Sequence, residues 1–197
     1  DIHRRTASEV FGVPFDEVTS EMRRAAKAVN FGIVYGISDF GLARQLGISR
    51  KEAARYIELY FMRYPGVHTY LKGCVERAKQ QGAATTLFGR RREMPELKSS
   101  NYNTRSFGER VAMNMPIQGT AADIIKLAMV RVHNELKARG MKSELILQIH
   151  DELIIDAVQE EADAAAEILK SCMENVVNLK VPLLAEVHTG HSWFDTK

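Results

Sequence analysis

"RRAAKAVNFGIVYG", residues 23–36, decides how this chain is read, because Arg23, Lys27, Phe31 and Tyr35 recur in it at every fourth position. At roughly 100° per residue these four side chains fall within an arc of about 120° on one helix face, with Arg24 among them. The opposite arc holds Ala25, Ala26, Ala28, Val29, Gly32 and Ile33, a small-residued apolar stripe suited to packing on a core. The segment therefore predicts an amphipathic helix, and two aromatic rings lie on its polar side.

One explanation is a solvated helix whose long basic side chains keep the protein soluble. Against it, Arg23 and Lys27 are like charges at i, i+4 with no acid on that face, which costs a few tenths of a kcal/mol. Phe31 and Tyr35 would expose two rings, and Gly32 gives up roughly 1 kcal/mol of helix propensity relative to Ala. Local cost without local gain suggests function. The stripe runs about 18 Å, cationic at its N-terminal end and aromatic at its C-terminal end. A nucleotide laid along it would place phosphates at the cations and base and sugar at the rings.

With 197 residues, 45% hydrophobic and 26% charged, the chain can bury a substantial core as one or two units and is not disordered. Cys74 and Cys172 lie 98 positions apart with no His/Cys cluster near either, so neither a disulfide framework nor a zinc site is indicated, and a reducing, cytosolic setting fits best. The start "DIHRRTASEV" has no apolar signal region and no run approaches 18 apolar residues, which predicts a soluble, cytoplasmic chain without a membrane span. Net charge is only +2, but residues 1–110 hold 19 Lys and Arg against 12 Asp and Glu (+7), and residues 111–197 hold 8 against 13 (−5). A basic part beside an acidic one suits a polyanion gripped on one side and divalent cations held on the other.

Outward from the opening segment, helical periodicity is predicted near 2–11, 21–35, 40–46, 50–63 and 67–81, punctuated by Gly36, Gly47, Pro65-Gly66 and Gly82. Ser20 and Ser49 are N-cap candidates, the latter three residues before Glu52 as in a capping box. "TLFGRRREMP" reads as a strand or turn carrying Arg90, Arg91 and Arg92. Helices follow near 105–115 and 120–138, separated by Pro116. "ELILQI" and "LIIDAV" are short apolar runs joined by "HDE", a hairpin signal; a helix near 160–176 follows, and "PLLAEV" supplies a third strand. The fold class is α+β and mainly helical: a helical basic lobe and a smaller lobe built on an antiparallel sheet.

His150, Asp151 and Glu152 sit between two apolar strands in the acidic part of the chain. Asp is common at tight turns for local hydrogen-bonding reasons. Two adjacent carboxylates and an imidazole nevertheless cap strands too apolar to need them, and such oxygen ligands suit Mg²⁺, which completes its shell with water and substrate phosphate. Metal-assisted phosphoryl transfer follows. Arg110, Asn114 and Gln118 form a second stripe spaced by four, fit for phosphates, sugars and base edges, or simply for a polar helix face.

A competitor is "GLARQLGISRKEAARYI", residues 41–57, which resembles a helix-turn-helix DNA reader with its turn at Gly47. That reading makes the chain a regulator and gives no role to the stripe at 23–35 or to "HDE". A regulator prefers one duplex sequence; a replication enzyme prefers a primer-template junction and ignores sequence. No Gly-x₄-Gly-Lys-Ser/Thr or Gly-x-Gly-x-x-Gly pattern occurs, which excludes a phosphate-loop nucleotide hydrolase.

Arg23, Lys27, Phe31, Tyr35 and Gly36 resemble the second motif of family A DNA polymerases, bacterial DNA polymerase I type, and "QIHDE", residues 148–152, resembles the third. "TLFGRRREMP" and "NMPIQGTAADIIK" are similar to further stretches of that family, so the resemblance covers essentially the whole chain. It implies that residues 1–106 are a fingers subdomain and residues 107–197 part of the palm, and that the helix-turn-helix lookalike is two ordinary fingers helices. By the same resemblance Arg23 and Lys27 bind the triphosphate of an incoming deoxynucleoside triphosphate with help from His3, and Lys27 stands with Asp151 among the catalytic residues. Phe31 packs against the sugar and Tyr35 stacks at the insertion site. Arg110, Asn114, Gln118 and His150 touch primer-template DNA, and Asp151, with Glu152 beside it, holds metal. The implied reaction is attack of a primer 3′-hydroxyl on the α-phosphorus, with two Mg²⁺ ions activating the nucleophile and stabilising the leaving pyrophosphate. No membrane and no obligate protein partner are implied.

The chain departs from the family pattern in one large respect. The first motif, with the other metal-binding Asp, precedes "DIH" in the family, and so do the thumb and any exonuclease domain; here the sequence begins at Asp1. "HSWFDTK" resembles a natural terminus. The expectation is a C-terminal fragment, inactive alone, whose second metal ion needs a carboxylate from outside the chain.

Overall fold

A computed structural model describes residues 1–196. The chain folds as two compact units, Asp1–Gly119 and Thr120 onward. In the first unit, α1 (Ile2–Phe11), α2 (Ser20–Val34), α3 (Asp39–Leu46), α4 (Arg50–Arg63) and α5 (Pro65–Gln81) follow one another through short turns. The sequence states most of their ends. Asp1 caps α1, and Ser49 and Glu52 form the reciprocal capping box at the start of α4. Gly12 and Gly47 close α1 and α3 in the left-handed conformation. The start of α2 differs from expectation: Thr19, not Ser20, is the cap, its hydroxyl accepting from the Met22 N–H at 3.2 Å.

The stripe opposite Arg23 and Lys27 meets the core as its composition requires. Val29 and Ile33 pack with Leu42, Ala53, Tyr60 and Leu71, while Ala26 packs with Ala7 and Val18. Leu42, Ala43 and Ala53 are buried there, so the apolar positions of the helix-turn-helix lookalike go to the core of this unit. Between α1 and α4, Glu9 is bound by Arg63 and Tyr64 and, more weakly, by Arg5. These partners lower its pKa to about 2, the Arg63 hydrogen bond contributing most and the Tyr64 bond next.

The arginine-rich stretch forms a short antiparallel hairpin, β1 (Ala83–Thr85) with β2 (Arg91–Glu93), which pairs Ala83 with Glu93 and Thr85 with Arg91. α6 (Tyr102–Asn114) follows, and the backbone then makes a single π-helical turn, Met115–Gly119. Pro116 does not simply separate two helices; it lies inside this turn, where the wider helix tolerates a residue that cannot donate to the ladder. A Cβ on Gly119 would stand 2.6 Å from Thr86 Cγ2 and 2.8 Å from Met115 Sδ, so the π turn closes onto the hairpin loop only because that position is glycine.

In the second unit, α7 (Thr120–Ala138) and α8 (Ala162–Glu174) bury Ile125, Val132, Leu136 and Ile168 against Leu153 of an antiparallel hairpin, β3 (Glu144–Ile149) and β4 (Glu152–Asp156). A bulge at Ile146 shifts the register between Leu145 and Leu147. The third strand expected at "PLLAEV" is absent: residues 182–187 have neither helix nor strand. Exposure does alternate along them, but alternation identifies a face and not a partner, and β3 and β4 are hydrogen-bonded in a sheet of two. Pro182 also lacks a ladder donor. The class is otherwise as expected, mainly helical α+β with two small antiparallel sheets. No helix among the described residues is long and apolar enough to cross a membrane.

Candidate functional site

α2 turns its basic and aromatic side chains outward. Arg23, Arg24 and Lys27 are exposed, and Phe31 and Tyr35 keep 49% and 47% of their surface in water on the same helix. Lys27 Nζ stands 6.0 Å from the Phe31 ring centre, at the outer limit of a cation–π contact. Gly32 has a packing reason the sequence does not disclose. A Cβ there would lie 2.6 Å from Ile37 Cγ2, where the chain folds back after α2, so this glycine serves the turn and is no sign of a ligand.

α1 brings His3 to the same face. Asp1 does so with both carboxylate oxygens: Oδ1 accepts from the backbone N–H groups of His3 and Arg4 at 3.0 and 3.1 Å, and Oδ2 accepts from Arg23 Nε at 2.6 Å. The His3 ring then lies 5.6 Å from Phe31, tilted by 44°. Burial, and after it the positive charges of Arg23 and Lys27, hold the imidazole below its ordinary pKa, which favours a neutral ring at pH 7. His3, Arg23, Lys27 and Phe31 thus form one cluster: two cations, a neutral imidazole and an aromatic face, a set suited to a polyphosphate joined to a flat or apolar group. The role of Asp1 is not legible in the sequence, since its partner is 22 residues away.

Tyr35 is the residue on which α2 ends, and Gly36 after it takes φ 68°. A Cβ at Gly36 would stand 2.4 Å from Met113 Cε and 2.9 Å from Arg110 Cγ, so the glycine lets the end of α2 rest directly on α6. Tyr35 and Arg110 also line a cleft of about 460 Å³ together with Arg92, Phe107, Asn114 and Gln118. Here the structure unites the end of the first stripe with the whole of the second. Arg110 Nη1 donates to Ser106 Oγ at 3.0 Å, Asn114 Nδ2 donates to the Arg110 carbonyl at 3.1 Å, and the buried Asn114 Oδ1 has no hydrogen-bond partner. Such an orphan acceptor at a cleft needs a donor from elsewhere. Arg92 and Phe107 are lining residues that spacing alone does not single out. Replacing Gly36 by Ala forces a left-handed alanine onto Arg110 and Met113; we expect a loss of about 1–3 kcal/mol in stability, read as a lower denaturant midpoint.

In the second unit, His150 and Asp151 form the two-residue connection between β3 and β4, and Glu152 is the first residue of β4, paired with Ile149. His150 has φ 53°, and among the described residues no other non-glycine has a positive φ. Gln148 Nε2 donates to the His150 carbonyl at 2.7 Å and braces the turn. His150, Asp151 and Glu152 are all exposed, and Glu152 Oε2 accepts from Trp193 Nε1 at 3.3 Å. The left-handed conformation of His150 is what a two-residue hairpin loop calls for, and the turn presents both carboxylates to solvent. Their oxygens fit a hard divalent cation that keeps several waters. Among the described residues no group of three or more His, Cys, Asp and Glu side chains is arranged to hold a metal ion.

The chain belongs to DNA polymerase family A, whose model matches residues 1–195. DNA polymerase I of Caldicellulosiruptor bescii is 58% identical over the whole chain, and DNA polymerase I of Bacillus subtilis 54%. The chain spans 23% and 22% of the length of these two relatives. Among solved structures, the POL domain of Pol1 from M. smegmatis, in complex with DNA primer-template and dNTP, superimposes on all of this chain with a TM-score of 0.93 at 45% identity, the match covering 35% of that chain.

Proposed function

We propose that this chain supplies the nucleotide-binding face and part of the catalytic centre of a DNA-directed DNA polymerase, which transfers nucleotides from deoxynucleoside triphosphates to a primer 3′-hydroxyl under the direction of a template. The observation that carries the reading is the exposed cluster of His3, Arg23, Lys27 and Phe31 in a family A chain. Arg23 and Lys27 neutralise the triphosphate, and His3 donates a hydrogen bond to it. Lys27 also offsets the charge that grows on the departing pyrophosphate, which is a catalytic role. Phe31 packs on the sugar and Tyr35 closes the insertion site. Arg110, Asn114 and Gln118, in the cleft, and His150, in its turn, contact primer-template DNA. Residues 1–106 then act as the fingers, and residues 107–197 as part of the palm. The cytoplasm is the compartment that fits this reading.

Asp151 is the residue that would hold Mg²⁺, with Glu152 beside it. Bound there, the metal would supply Lewis-acid stabilisation of charge at the reacting phosphate. In a two-metal site, ions about 3.5–4 Å apart repel one another and need carboxylates on both sides. Only Asp151 and Glu152 stand at the hairpin turn, since Glu144 and Asp156 pair at its far end, and a second ion would need a carboxylate from outside this chain. The 197-residue chain is therefore expected to bind nucleotide or DNA weakly, with an affinity that falls steeply as salt is added, and not to polymerise. Primer extension with Mg²⁺ and all four nucleotides, run on this chain and on one extended upstream through the family's first motif, tests both parts. Activity confined to the longer chain supports the reading, and robust incorporation by the short one shows that the metal site is misplaced.

A further inference from the structure

Asn30 projects from α2 between the basic stripe and α1, and it takes no part in the assignments above. Its amide nitrogen lies 3.0 Å from His3 Nδ1 and 3.1 Å from Thr6 Oγ1. Thr6 is buried, one turn along α1 from His3, and its hydroxyl lies 2.9 Å from the Ile2 carbonyl and 3.2 Å from Asn30 Oδ1. With the hydroxyl hydrogen directed to the nearer acceptor, the Ile2 carbonyl, the Thr6 oxygen receives one N–H of the Asn30 amide, and the second N–H is left for His3 Nδ1. An imidazole that accepts at Nδ1 carries its proton on Nε2 when neutral.

We propose that Asn30 is a positioning residue that holds His3 as the Nε2–H tautomer, so that a neutral ring presents a hydrogen-bond donor to the triphosphate. The inference rests on the nucleotide-face reading of α2. The physical advantage lies in the crowding of charge. Arg23 and Lys27 already share the face, and a third cation would repel both, whereas a neutral N–H donor adds a directed contact to phosphate without that penalty. The lowered pKa of His3 agrees with this arrangement. The network Ile2–Thr6–Asn30–His3 also fixes the ring plane, a need that a mobile surface histidine would leave unmet.

Two measurements test it. In the 197-residue chain, long-range ¹H–¹⁵N correlations of the His3 ring should show Nδ1 bare and Nε2 protonated at neutral pH. The near-isosteric Asn30→Asp, which can only accept, should move a proton onto Nδ1. A parent ring protonated at Nδ1, or a tautomer indifferent to Asn30→Asp, overturns the proposal even if other variants fold poorly. In the full-length protein, Asn30→Ala should raise the KM for nucleotide about three- to tenfold with kcat little changed, as expected for one hydrogen bond. It should add nothing in a His3→Ala background, because a residue that acts through another is silent once that partner is gone. Additive effects of the two substitutions overturn it. Lys27→Ala, measured alongside, separates the two levels of inference: a KM that responds to Lys27 but not to His3 removes this proposal and leaves the nucleotide face standing, and a KM that responds to neither removes both.

Discussion

Asp151→Asn in the full-length protein is expected to abolish primer extension while binding of primer-template DNA survives. The amide keeps the shape of the side chain and its ability to sit at a two-residue turn, and loses the charge a divalent cation requires. Loss of metal-borne charge stabilisation removes several kcal/mol from the transition state, a rate deficit on the order of 10³-fold or more. The competing account, in which Asp151 only shapes the turn between β3 and β4, predicts a lower melting temperature with activity retained in the molecules that stay folded. A melting curve beside an extension gel decides between them.

Lys27→Ala is the second large effect. Lys27 is exposed on α2 beside Phe31, and its ammonium makes no ion pair among the described residues, so truncation leaves no buried partner behind and stability should change little. A charge-assisted contact to phosphate in a water-poor site contributes about 2–3 kcal/mol, which appears as kcat/KM for nucleotide lowered roughly 10²-fold, chiefly through a raised KM. Affinity for primer-template DNA should stay within experimental error of the parent. Steady-state kinetics over a nucleotide range, set beside a DNA-binding isotherm, measure both, and an unaltered KM would remove the basis for calling the stripe a triphosphate site.

Much of the first unit is legible in the sequence because its signals are local. The period of α2, the capping box at Ser49 and Glu52, and the left-handed Gly47 and Gly82 that end α3 and α5 each involve residues within one turn of one another. The stripe from Arg23 to Tyr35 is legible for the same reason. What stays hidden depends on partners remote in sequence. Asp1 binds Arg23, Asn30 meets His3 and Thr6, and Arg92 joins Tyr35 and Arg110 around one cleft. No periodicity encodes such pairings. The third strand fails for a related reason, since residues 182–187 carry a strand's alternation while a strand also requires a neighbour. Gly32 misleads in the opposite direction: its cost in helix propensity is offset by the close approach of Ile37, a contact visible only once the chain has turned.

The left-handed φ of His150 sets the comfort of the backbone against the usefulness of the side chain. Glycine would occupy that conformation without penalty, while an L-residue with a Cβ pays on the order of 1 kcal/mol to stay there. His150→Gly is therefore expected to raise the melting temperature and to weaken the hold on primer-template DNA in the same molecule. A screen for heat resistance alone would select the change, and a screen for DNA synthesis would reject it. With His150 contacting DNA as proposed, selection for durability and selection for work would pull in opposite directions at this turn.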